Sequence, residues 1–146
     1  PGYQPGRDLE ARGMIRHGAE LVHAYAAATV PRLCVILRKA YGGAYIVMDS
    51  RTMGSDLVLA WPRAEIAVMG PAGAVEILHR REVDPEVRAR LEAEYRATYC
   101  TPRLAADRGL IDGVIDPAET RAWLVRVLGT ARREPLSPRR PFIDTW

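Results

Sequence analysis

The stretch Leu33-Cys34-Val35-Ile36-Leu37, followed at Tyr41-Gly42-Gly43-Ala44 by paired glycines, decides the fold class. Five consecutive apolar residues are too few for a helix and predict a strand that is buried on both faces. The two adjacent glycines favour a turn, and the residues after them predict a short helix over 44–53. A strand, a turn and a helix in this order are the repeating unit of α/β proteins.

The same alternation continues on both sides of this stretch. Apolar residues three and four apart predict one long helix before it, over 8–29. Asp84-Pro85 and Asp116-Pro117 each place a capping aspartate before a proline, which is a helix start signal. The sequence therefore predicts an α/β fold, with strands over 33–37, 56–61, 65–69 and 110–115 and helices over 8–29, 44–53, 70–80, 84–99, 102–108 and 116–131. Residues 1–131 form one predicted domain, and 132–146 form an irregular tail rich in proline and arginine.

The composition argues against several classes of protein. The 21 basic and 18 acidic residues alternate along the chain instead of clustering, which argues against nucleic-acid binding. No apolar run approaches the roughly 18 residues that span a membrane, and no signal-peptide pattern opens the chain. Cys34 and Cys100 have no CxxC partner, so we predict neither a metal site nor a redox pair. Because the two cysteines show no pairing pattern, we expect a reducing, cytoplasmic location.

The chain begins at Pro1 without a methionine, and no strand precedes its first predicted helix. A helix of an α/β fold packs beside strands. We therefore expect the partner elements of this helix to lie upstream of Pro1.

Any chemistry at the glycine turn depends on backbone groups. N–H groups at a strand–helix junction are free to bind an anion, and the helix dipole adds partial positive charge. Gly43 and Ala44 are therefore candidates for an oxyanion site, although a Gly-Gly pair in this position is more often simply a turn. The chain has no nucleophile elbow and no P-loop. His17 and His23 are six residues apart and face different directions on a helix, so they cannot share a metal.

Seven segments carry a resemblance to a known family, namely 1–6, 15–19, 24–25, 28–31, 38–45, 60–70 and 73–77. They look like the carboxyltransferase subunit of acetyl- and propionyl-CoA carboxylases, which are biotin-dependent. The match covers about residues 1 to 116, and the distance between the Gly-Gly-Ala block and the Ala-Trp-Pro and Val-Met-Gly block makes it specific. Residues 105–112 also resemble the closing helix–strand unit of crotonase-like domains.

The resemblance implies a crotonase-like fold that is incomplete at its N-terminal side, since the family has two such domains and this chain looks like most of the second. It implies carboxyl transfer from carboxybiotin to the α-carbon of a short-chain acyl-CoA, with two backbone sites for the two enolates. The biotin-side site matches the N–H groups of Gly43 and Ala44. Biotin would arrive on a separate protein, because no attachment sequence is present. The implied partners are biotin carboxylase, the biotin carboxyl carrier subunit, the missing first carboxyltransferase domain and further copies of the chain.

The resemblance also implies substrate contacts at Tyr45 and Ile46. Propionyl-type members carry aspartate where this chain has Ile46, so the aliphatic side chain favours acetyl-accepting or broader members. The alternative is that Ile46 packs in the core. Reaction direction stays open, because biotin-dependent acyl-CoA decarboxylases run the same reaction in reverse. A non-catalytic assembly module is the third alternative.

Overall fold

The computed structural model describes residues 6–130, so the predicted tail over 132–146 and the domain boundary before it lie outside the described residues. The helices are α1 (Arg7–Ala11), α2 (Met14–Ala27), α3 (Gly42–Val47), α4 (Pro71–Leu78), α5 (Pro85–Tyr99), α6 (Pro102–Asp107) and α7 (Thr120–Thr130). The strands are β1 (Leu33–Ile36), β2 (Lys39–Tyr41), β3 (Leu57–Ala60), β4 (Glu65–Ala67) and β5 (Gly113–Val114). Short 3-10 turns cover Arg51–Met53 and Pro117–Glu119.

The strands form two small parallel sheets. In the first sheet β3 lies between β1 and β5, so that Leu59 is paired with both Val35 and Gly113. The second sheet joins β2 to β4, with Ala40 opposite Ile66. Parallel strands need crossover connections, and helices supply several of them here. The predicted α/β class is therefore confirmed.

The core contains residues of both sheets and of α6. Val58 and Ala60 of the first sheet are fully buried, and Ile66 of the second sheet is 4% exposed. Small side chains make up half of this cluster, since four of its eight buried residues are alanines. The complete cluster is Ile36, Ala40, Val58, Ala60, Ala64, Ile66, Ala105 and Ile111.

Two predictions for the N-terminal half are wrong, and one strand there is not predicted. The helix predicted over 8–29 is two helices, because Gly13 adopts φ 86° between them, a left-handed conformation that costs glycine little. Strand β2 has no predicted counterpart, since three residues carry no readable period and its partner β4 is distant in sequence. The run over 33–37 is only partly buried: Ile36 is buried and the other residues of β1 are half-buried, but Leu37 follows the strand and is 46% exposed.

Other predicted elements are present with different ends. The helix predicted over 44–53 begins at Gly42 and ends at Val47, and the strand predicted over 110–115 is reduced to β5. The helix predicted to begin at Asp116-Pro117 starts as a 3-10 turn that leads into α7. The two predicted caps are confirmed. Asp84 accepts a hydrogen bond from the Glu86 N–H at 2.9 Å, and Asp116 accepts one from the Ala118 N–H at 2.8 Å.

Arg32, just before β1, anchors the segment that follows α3. Its Nη1 donates to Oδ1 of Asp49 at 2.7 Å, and its Nη2 donates to the carbonyl of Met53 at 3.1 Å. The two charged side chains are only 9% and 7% exposed. Burial raises the pKa of the Asp49 carboxyl, and the Arg32 charge opposes that rise. This buried pair fixes the C-terminal end of α3 relative to β1.

Candidate functional site

Helix α3 starts directly from strand β2 at a glycine that no other residue can replace without strain. Gly42 has φ 57°, and a Cβ atom built on it would lie 2.9 Å from the carbonyl oxygen of Val68. The helix consequently starts two residues earlier than predicted, and Gly43 and Ala44 fall in its first turn. First-turn N–H groups have no acceptor within a helix, and no side chain caps α3.

Gly43 and Ala44 line one cleft of about 500 Å³, between α2 and α3. Gly43 is exposed and has open space beside its α-carbon, and Ala44 is half-buried. The structure thus brings both predicted backbone residues to one accessible surface. The other side chains around the cleft are mainly apolar or small and belong to Glu10, Met14, Ile15, Gly18, Ala19, Val22, Tyr41 and Val47.

A second cavity, of about 490 Å³, shares Gly43 with the first. Ile46 forms part of its wall and is half-buried, whereas Ala44 does not line it. The wall is completed from the C-terminal part of the chain, by Tyr95 and Tyr99 of α5 and by Leu104 of α6. Gly43 therefore lies where the two cavities meet.

Tyr45, the other predicted substrate contact, has its hydroxyl engaged within the protein. That hydroxyl donates a hydrogen bond to the carbonyl of Leu110 at 3.1 Å, and the ring packs against the core cluster. Burial, with a smaller contribution from the Cys34 thiol, raises the pKa of Tyr45 to about 12. The residue ties α3 to the turn after α6, and it has its ring available for contact with a ligand in the second cavity.

A network that sequence reasoning missed holds the glycine turn against α5. The hydroxyl of Tyr41 donates to the Glu65 carboxylate, and Nε of Arg96 lies 3.4 Å from the same carboxylate. Burial raises the pKa of Tyr41, and the hydrogen bond to Glu65 raises it further. The network connects β2, β4 and α5, which carries Tyr95 and Tyr99. Its members are too far apart in sequence to give a local signal.

The chain agrees with the carboxyl transferase domain over residues 1–142, and it belongs to that family. The predicted resemblance is therefore confirmed.

Particular relatives include enzymes of both reaction directions. The carboxyltransferase subunit of propionyl-CoA carboxylase from Haloferax mediterranei is 53% identical over 141 residues, which are 91% of this chain and 27% of that protein. The methylmalonyl-CoA decarboxylase subunit alpha of Veillonella parvula is 45% identical over 142 residues, 96% of this chain and 27% of that protein.

A solved structure gives the same result for the fold. Transcarboxylase 12S, determined as a hexamer assembly with hydrolysed methylmalonyl-CoA bound, aligns with a TM-score of 0.81 and 44% identity, over 99% of this chain and 29% of that chain. The predicted crotonase-like fold is confirmed. The chain spans a little over a quarter of the length of these relatives.

Between residues 6 and 130, no helix is both long enough and apolar enough to cross a membrane.

Proposed function

We propose that this chain is the part of a biotin-dependent carboxyltransferase that contributes the biotin-side oxyanion site. The complete enzyme would transfer a carboxyl group from carboxybiotin to the α-carbon of a short-chain acyl-CoA. The observation that carries the proposal is the position of Gly43 and Ala44, in the first turn of α3 and facing an accessible cleft, in a chain of this family.

The backbone groups and the lining of the cleft between α2 and α3 support its assignment to the biotin group. Carboxybiotin, held on a separate carrier, supplies the carboxyl group that is transferred. The N–H groups of Gly43 and Ala44 donate hydrogen bonds to the oxygen on which negative charge develops, and they are already oriented by the helix. The α3 dipole adds partial positive charge at the same point. The apolar side chains of the cleft suit a small ring system.

The acyl side of the reaction is assigned to the second cavity. Ile46 and the ring of Tyr45 line it, together with apolar residues of α5 and α6. Because Gly43 borders both cavities, ligands bound in the two would meet beside it. Holding two reactants next to each other removes much of the entropic cost of their encounter.

The proposed partners are biotin carboxylase, a biotin carboxyl carrier subunit, a first carboxyltransferase domain and further copies of the chain. Support comes from the length of the relatives, of which this chain is a little over a quarter, and from the hexamer of transcarboxylase 12S. We further propose a cytoplasmic enzyme whose product, if acetyl-CoA is the substrate, feeds fatty acid biosynthesis. Two free cysteines, Cys34 and Cys100, are consistent with a reducing compartment.

One pair of substitutions at Gly43 tests the oxyanion site. Gly43→Pro removes the N–H group but keeps a φ that the first turn of a helix tolerates. In the complete assembly it should lower kcat by about 10²- to 10³-fold, the usual effect of losing one oxyanion donor. Gly43→Ala retains the N–H, and its Cβ meets nothing within 4 Å, so it should keep most of the activity. Equal activity of the two variants would disprove the assignment.

The 146-residue chain without its partners serves as a second control. The family places the other oxyanion site on a first domain, so we expect no carboxyl transfer from the chain alone. Malonyl-CoA formation by the isolated chain, at a rate close to that of the assembly, would refute the division of the active site between two domains.

Acyl-CoA decarboxylation is the second candidate function. It is favoured by the 45% identity to the methylmalonyl-CoA decarboxylase subunit of Veillonella parvula. Neighbouring genes distinguish the two directions, since a biotin carboxylase indicates carboxylation and a sodium-pump membrane subunit indicates decarboxylation. An assay for decarboxylation measures the loss of methylmalonyl-CoA in the complete assembly.

A further inference from the structure

Among the described residues that line the second cavity, Arg108 has the one charged side chain. The surrounding lining consists of apolar side chains, tyrosine rings, glycines and a single threonine. Within residues 6–130, the side chain of Arg108 forms no ion pair and no hydrogen bond with another residue. Arg108 is exposed, so its guanidinium can reach a ligand at the cavity, and without a carboxylate partner among the described residues it can pair with an anionic group of that ligand.

The backbone of Arg108 is fixed in position relative to α3. Its N–H donates to the carbonyl of Leu104 at 3.1 Å at the end of α6. Gly109, with φ 71°, then turns the chain, and the Leu110 N–H donates to the carbonyl of Ala105 at 2.9 Å. The Tyr45 hydroxyl holds the carbonyl of Leu110 from the α3 side. The turn is therefore clamped to the helix that carries Gly43 and Ile46.

We infer that Arg108 binds the carboxylate that is transferred in this cavity, a role that rests on the proposed function. An apolar cavity with one guanidinium at its wall suits a small apolar group that ends in a carboxylate. Two ligands of the proposed reaction have this chemistry, namely the carboxylated acyl-CoA and carboxybiotin. A planar guanidinium can accept such a carboxylate through two parallel hydrogen bonds. The acyl group before carboxylation carries no carboxylate for Arg108 to bind.

The test compares Arg108→Gln with Arg108→Lys in the complete assembly. Calorimetry without the carrier measures the affinity for malonyl-CoA against acetyl-CoA and for methylmalonyl-CoA against propionyl-CoA. Loss of a charge-assisted hydrogen bond should weaken binding of the carboxylated member of each pair about tenfold in Arg108→Gln and leave the other member unchanged. Arg108→Lys keeps the charge and should recover much of the lost affinity.

Arg103→Gln provides the matched control, because Arg103 is an exposed arginine of α6, which Arg108 directly follows, and it does not line the cavity. A second arm measures the KM for the carboxylated carrier. If that KM rises about tenfold in Arg108→Gln while malonyl-CoA affinity stays constant, Arg108 binds the carboxylate of carboxybiotin instead. No change in either arm, or an equal change in Arg103→Gln, overturns the inference. An unsubstituted assembly that neither binds acyl-CoA nor transfers a carboxyl group would instead contradict the proposed function.

Discussion

Ala44 and Ile46 are two residues apart on α3, and they contact different cavities. Residues two apart on a helix point about 200° away from each other. Ala44 lines the cleft beside α2, whereas Ile46 lines the cavity formed with α5 and α6. Ile46 is half-buried and is not part of the core cluster. Its environment therefore supports the assignment to a cavity wall over the alternative of core packing.

At this position we predict a change of substrate preference. Ile46→Asp replaces an apolar wall with a carboxylate, which alters both the polarity and the volume of the cavity. In the complete assembly, the preference for propionyl-CoA over acetyl-CoA, measured as the ratio of their kcat/KM values, should rise by about 10- to 200-fold. This is the usual discrimination that one methylene group allows in a hydrophobic pocket. Steady-state kinetics with both substrates measure the ratio.

The same charge introduced at another exposed apolar residue separates cavity effects from general effects of charge. Val125 on α7 is 62% exposed and lines neither cavity, so Val125→Asp should leave the ratio unchanged. A folded and active Ile46→Asp enzyme with the wild-type ratio would place Ile46 outside the acyl site.

Residues of the site differ in how far the sequence reveals them. Gly43 and Ala44 follow from a local pattern, an apolar run ending in paired glycines, and Ile46 follows from a family resemblance. Arg108 has no such signal, because it becomes part of the cavity only when α6 packs near α3. Contacts between distant parts of the chain are set by tertiary packing, which local sequence patterns do not encode.

At the scale of elements, the close approach between Gly42 and the carbonyl oxygen of Val68 determines where α3 begins. The residue joins β2 to α3 with φ 57°, and the Val68 carbonyl leaves no room for a Cβ atom. Gly42→Ala should destabilise the chain by about 1–2 kcal/mol from the left-handed conformation alone, with a further cost from the contact. Urea unfolding followed by circular dichroism measures the difference in the free energy of unfolding.

A second glycine offers a control of opposite sign. Gly73 lies inside α4, has no left-handed conformation, and a Cβ atom there would meet nothing within 4 Å. Gly73→Ala should therefore stabilise the chain by about 0.5–1 kcal/mol, since alanine is the better helix former. Equal effects of the two substitutions would mean that the turn at Gly42 adapts to a side chain.

Elements with strong local signals are predicted well, and short elements are not. Helix α5 follows from Asp84-Pro85, and its capping bond is present in the structure. Strand β2 depends on pairing with β4, from which it is separated by α3 and β3. The break between α1 and α2 depends on one glycine, Gly13, which helices also tolerate at moderate cost. Sequence patterns therefore give the type of the long elements and miss both the second sheet and this break.

At the scale of the molecule, several helices present large apolar side chains to solvent. The most exposed pair of neighbours is at the end of α4, where Ile77 is 65% and Leu78 66% exposed, and Val83 follows at 86%. We call these three residues the α4 patch. Exposed apolar side chains grouped in one short segment are typical of a site of contact with another protein. The proposed assembly, with a first domain and further copies of the chain, would supply such contacts.

We therefore predict that the isolated chain binds a hydrophobic dye and self-associates through the α4 patch. Substituting both Ile77 and Leu78 with lysine should reduce dye fluorescence and shift the sedimentation coefficient toward that of a monomer. The free energy of unfolding should change by less than about 0.5 kcal/mol, because both side chains are exposed. Glu76→Lys adds positive charge at an exposed neighbour without removing apolar surface, so it should leave dye binding intact. A wild-type chain that sediments as a clean monomer and binds no dye would contradict the prediction, since nothing would then need to cover the patch.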